Sequence, residues 1–95
     1  MKHKVEICRK ELWGNNKLKD LGCTIIPKLN ESDLYIINDE LQTVYEDCQI
    51  ILKNINEISL VTNYSKKFVE FRINNLLKFI EIALNNKENL GINIS

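Results

Sequence analysis

The sequence predicts an all-α fold: a small helical bundle built on one long helix over about 31–61, antiparallel to a second over about 66–86, with a short N-terminal helix. Three observations predict it. Apolar side chains at Leu34, Ile37, Leu41, Val44, Cys48, Ile51, Ile55 and Ile58 alternate in steps of three and four, the spacing of a helix pressed along another helix. A break at Thr62, Asn63, Tyr64 and Ser65 is followed by a second stretch of helical periodicity. The 95 residues are 44% hydrophobic and 27% charged, which suits one domain, residues 1–95, with a modest core and is too apolar for a disordered chain.

The elements follow in order. Val5, Cys8 and Leu12 line one side of a short helix over 3–13, which Gly14, Asn15 and Asn16 stop because Gly and Asn tolerate the left-handed conformation. Lys17 to Leu21 adds a turn closed by Gly22. Cys23 to Leu29 holds the only proline, Pro27, and reads as an extended connector, since a lone strand there has no visible partner. Asn30 or Ser32 caps the long helix, and Glu31 and Asp33 place negative charge where its dipole favours it. Ser65 caps the next helix. The tail has Gly91 after Leu90, then an Ile92/Ile94 alternation, a helix stop followed by a docked or frayed end.

Formal net charge is zero, so no global field draws in nucleic acid or anionic lipid. The charges are still uneven. Acids gather in residues 31–63, where Lys53 is the only basic residue, between two basic flanks. Cys8, Cys23 and Cys48 are odd in number without a pairing motif, and the opening residues are rich in charge; both features predict a reduced, cytoplasmic protein. No run approaches the roughly 18 apolar residues of a bilayer span, so no membrane partner is expected.

The helix faces suggest where a partner docks. Opposite the seam of the long helix lie Ile36 and Ile50, beside an acidic stripe of Asp39, Glu40, Glu46 and Asp47. These six form the expected partner-binding face. On the later helix Val69, Ile73, Leu76, Leu77, Phe79, Ile80, Ala83 and Leu84 fall in an apolar arc about 180° wide, against about 100° for a helix with a single neighbour. Phe71 and Ile82 lie near its polar side next to Asn75, and Arg72 projects into the arc. Surplus apolar area predicts a protein partner or a homo-oligomer, with Arg72, Phe71 and Ile82 setting its register.

Little points to chemistry. His3, the only histidine, stands near the terminus with no base or orienting group to hold it. His3, Cys8 and Cys23 lack zinc-ligand spacing, and three glycines leave no room for a phosphate loop. No catalytic residue, metal, cofactor or small-molecule ligand is expected. Ile58, Ser59, Asn63, Ser65, Val69, Arg72, Ile73 and Leu76 match a helix-turn-helix pattern that departs at Thr62, with Lys66 and Lys67 available to DNA.

Trp13, Leu21-Gly22 before a connector, the run from Leu29 to Ile36, a second helix after a break, and Leu90-Gly91-Ile92 together resemble the helical small subunit of a phage terminase. Where that family commonly has Asn-Pro before its second helix, this chain has Asn63-Tyr64. The resemblance implies a non-catalytic oligomeric subunit that recognises phage DNA and engages the large packaging subunit. The competing expectation is a small helical inhibitor, an immunity protein or a phage-encoded antagonist of a host defence, that covers a basic partner with the acidic face.

Overall fold

Local capping chemistry sets most element boundaries in the computed structural model, which describes residues 9–30, 34–36, 39–85 and 92–94. A π-type turn, Arg9–Trp13, carries the described part of the expected N-terminal helix; residues 3–8 lie outside the described residues. Asn15 ends that turn by donating its Nδ2 to the Glu11 carbonyl at 3.2 Å. Its Oδ1 accepts from the Lys17 N–H at 2.9 Å, so one side chain closes one element and caps α1, Asn16–Leu21. Gly22 ends α1 with φ 111°. A side chain there would meet only Ile50 Cδ1 at 3.7 Å, so it is backbone conformation, not space, that calls for glycine.

The connector is more folded than the sequence suggests, because Pro27 enters a 3-10 turn, Ile26–Asn30. Ile25, Ile26 and Leu29 are buried there.

The expected single helix over 31–61 is three elements. Leu34–Ile36 is a strand, β1, paired antiparallel with β2, Ile92–Ile94, in the register Leu34 to Ile94, Tyr35 to Asn93 and Ile36 to Ile92. Leu34, Tyr35 and Ile36 suit a pleated surface, and the distant tail supplies the partner that a local reading of periodicity lacks. The cap candidate Asn30 instead ends the 3-10 turn, far from the start of the helix at Asp39, and the other candidate, Ser32, lies outside the described residues with the acids Glu31 and Asp33. The helix itself, α2, is Asp39–Lys53. After it Asn54 departs from helical geometry at φ −112° and ψ 25°, its Nδ2 donating to the Ile50 carbonyl at 2.9 Å. A side chain competing for a carbonyl of the helix ladder is a recognised cause of a kink. The axis resumes as α3, Ile55–Thr62.

Asn63 stops α3 in the left-handed conformation, φ 65°, with its N–H on the Ser59 carbonyl. Thr62 is buried, yet its hydroxyl is satisfied by donating to the Ile58 carbonyl at 2.7 Å. Ser65 then caps α4, Lys66–Asn85, its Oγ accepting from the Phe68 N–H at 3.1 Å. The chain reverses over this turn, and α4 packs along α2 and α3.

The heptad seam survives the breaks. Leu41, Val44, Cys48, Ile51 and Ile58 are buried against Val69, Ile73, Ile80 and Ala83, with Leu12, Trp13, Leu18, Ile26, Leu29 and Ile36 closing the other side. Each fully buried Val, Leu or Ile contributes about 1.5–3 kcal/mol relative to an exposed one. One ion pair, Lys17 Nζ to Glu57 Oε2 at 3.0 Å, joins α1 to α3. It is solvent-exposed and adds about 0–1 kcal/mol. The fold is thus all-α, with a three-residue ribbon added. Among the described residues no helix is long and apolar enough to cross a membrane.

Candidate functional site

The acidic partner face does not form as drawn. Ile36 is a core residue, 2% exposed, because the alternation of β1 turns it inward and leaves Tyr35 outside. Asp47 is also 2% exposed. Its carboxylate accepts from the backbone N–H groups of Thr24, Ile25 and Ile26 at 2.8–3.2 Å, so it ties the 23–26 segment to α2. Ile50 is half-buried and faces Gly22. Only Asp39, Glu40 and Glu46 of the six remain at the surface. A carboxylate with three N–H donors is stable inside the protein, which charge counting along the helix does not reveal.

Around Asp47 sit two thiols. Cys23 Sγ lies 3.8 Å from the Asp47 carbonyl oxygen, and both Cys23 and Cys48 are buried and free. Burial, and secondarily the Asp47 charge, pushes each from 9.0 up to about 12. Neither is a nucleophile at neutral pH. His3 and Cys8 lie outside the described residues. Among the described residues no group of three His, Cys, Asp or Glu is arranged to hold a metal.

The surface of α4 is the unusual one. At 100° per residue, Val69, Ile73, Ile80 and Ala83 share the buried side, and a second stripe of Phe68, Phe71, Asn75, Phe79 and Ile82 lies roughly 125° away. Phe71, Phe79 and Ile82 are 64%, 61% and 62% exposed, and Phe68 is 37% exposed. These are all three phenylalanines of the chain. Tyr64 extends the stripe by stacking on Phe68 with ring centroids 5.4 Å apart, and Leu60 and Val61, at the same end, are exposed as well.

Several expectations meet this surface. Phe71 and Ile82 are exposed, as their positions near the polar side imply. Phe79 and Leu84 are not in the core arc: a helix packed on one side turns both outward, at 61% and 42% exposed. Arg72 is exposed too, on the rim of the outer stripe, and has no ionic partner among the described residues. Lys66 and Lys67 are exposed on the first turn of α4. Sequence reasoning missed Phe68, whose signal was its steps of three, four, four and three to Phe71, Asn75, Phe79 and Ile82. It also missed the burial of Asp47, which stands three residues from Val44 and four from Ile51, beside the seam.

Comparison of the chain with family models, curated proteins and solved structures finds no match.

Proposed function

We propose that this chain is a non-enzymatic protein-interaction subunit whose working surface is the outer face of α4. The exposure of its whole complement of phenylalanine on one helix face carries this reading. Phenylalanine is among the residues most often buried, and scattered single exposed apolar residues need no explanation. Four large apolar side chains in one stripe form a contiguous patch of the kind that marks an interface.

A second reading, a DNA-packaging subunit similar to the small subunit of a phage terminase, is favoured by one arrangement: the α3 to α4 turn, with Asn63 in the left-handed conformation, the Ser65 cap, and Lys66 and Lys67 exposed beside it. Against it, the exposed side of α4 that a groove would receive carries Phe68, Phe71 and Phe79, and net charge is zero. A salt-dependent shift of duplex DNA that Lys66→Ala with Lys67→Ala abolishes is the result that supports it. The inhibitor reading, in which an acidic face meets a basic partner, loses two of its contact residues to the core, Ile36 and Asp47.

The test of the first reading is a photoreactive benzoylphenylalanine at position 71, with position 42, an exposed glutamine of α2, as the control site in cells making the protein. Adducts are expected from position 71 and not from position 42. No adduct at 71, or equal labelling from both sites, defeats the reading.

A further inference from the structure

We infer that the outer face of α4 is covered by a second copy of this chain, in an antiparallel two-fold pair centred on Asn75; this rests on reading that face as an interaction surface. The stripe is symmetric about its own midpoint. Phe71 and Phe79 stand four residues either side of Asn75, and Phe68 and Ile82 stand seven either side. Reversing the helix therefore places Phe68 against the partner's Ile82, Phe71 against the partner's Phe79, and Asn75 against the partner's Asn75. An isologous interface needs a self-complementary surface of this kind.

Asn75 fits the axis chemically. A carboxamide both donates and accepts, so two related by a two-fold axis can satisfy each other. A single polar residue at an otherwise apolar seam is also the device that fixes register in helix pairs. Asn75 is partly covered already, between side chains that close over it when the partner docks.

Area supports a second copy. At about 150–250 Å² per aromatic side chain, the exposed parts of Phe68, Phe71, Phe79 and Ile82 offer roughly 400 Å² of apolar surface. Tyr64, Arg72, Asn75 and Lys78 on the rim bring each copy toward the roughly 800 Å² per partner of a standard interface.

Sedimentation equilibrium of the purified full chain is expected to give twice the 11.1 kDa chain mass. Phe71→Glu is expected to give the chain mass with unchanged helical circular dichroism, since Phe71 is outside the core. Asn75→Asp sets two carboxylates at the axis and is expected to weaken the dimer at least tenfold at neutral pH, with recovery on acidification. On a Cys8→Ser background, Asn75→Cys is expected to crosslink to itself on mild oxidation and Phe71→Cys to fail, being about 12 Å from its counterpart along the axis; buried Cys23 and Cys48 stay out of the reaction. A monomeric wild type, a larger ring, a dimer indifferent to Phe71→Glu, or equal crosslinking at 71 and 75 overturns the proposal. A monomer whose position 71 photolabels a foreign protein defeats the second copy alone, whereas a monomer with no adduct defeats the interaction surface as well.

Discussion

Two regions of this small protein invert the usual order of polar outside and apolar inside. α2 buries a carboxylate at Asp47, and α4 exposes Phe68, Phe71, Phe79 and Ile82. The difference lies in what answers each. Asp47 is met within the chain by three backbone N–H groups, and its inversion belongs to the fold. The phenylalanine stripe has no cover among the described residues. A monomer of this size has little apolar surface to spare for its own stability, and the large side chains left outside are the basis of the proposed interaction surface.

The largest effect should come from removing the answered group. Asp47→Ala leaves the Ile25 and Ile26 N–H groups inside the core without acceptors and frees Thr24. Breaking a buried charged network of this kind costs about 3–5 kcal/mol, which urea unfolding followed by circular dichroism will register as a lower midpoint. A loss below about 1 kcal/mol would mean that water reaches these groups, and the contrast between the two regions would weaken.

A smaller effect follows from the thiols beside Asp47. Cys23 and Cys48 have pKa values raised from 9.0 to about 12 in the folded protein, so the folded state holds protons that the unfolded state releases. Their contribution is fully present below pH 9 and is lost as the pH rises through about 12. The slope is up to about 1.4 kcal/mol per pH unit for each thiol. In a Cys8→Ser background, thiolate absorbance across this range should appear together with unfolding. Thiolate that appears while the helical signal is intact contradicts the sealed environment around Asp47.

How far these regions were legible depends on the range of the cause. Gly22, Asn63 and Ser65 act on their immediate neighbours, so helix ends could be read from residue type. The a/d seam from Leu41 to Ile58 was legible for the same reason, since periodicity is a local property. Leu34 to Ile36 was not: the residues that make it a strand, Ile92 to Ile94, are more than fifty positions away. Asn54 hid inside an unbroken apolar rhythm because its effect runs through a side-chain hydrogen bond. Asp47 looked like one more surface acid because its donors, Thr24 to Ile26, come from a segment with no regular pattern. The outer stripe of α4 was half legible; Phe71 and Ile82 stood out as surplus, whereas Phe79 and Leu84 were assigned to one wide arc where two narrower stripes exist.

The smallest effect tests the other side of the contrast. In a Phe71→Glu background, which removes the proposed pairing, Phe79→Ser should change unfolding free energy by no more than about 0.5 kcal/mol, as surface substitutions do. Its neighbour Ile80, fully buried, should lose about 2–5 kcal/mol on truncation to Ala. Adjacent residues on one helix, the aromatic one dispensable to the folded monomer and the aliphatic one essential, is the signature of a helix with one face for the core and one for a partner. Equal losses at 79 and 80 would place Phe79 in the monomer core and remove the distinction on which the interaction surface stands.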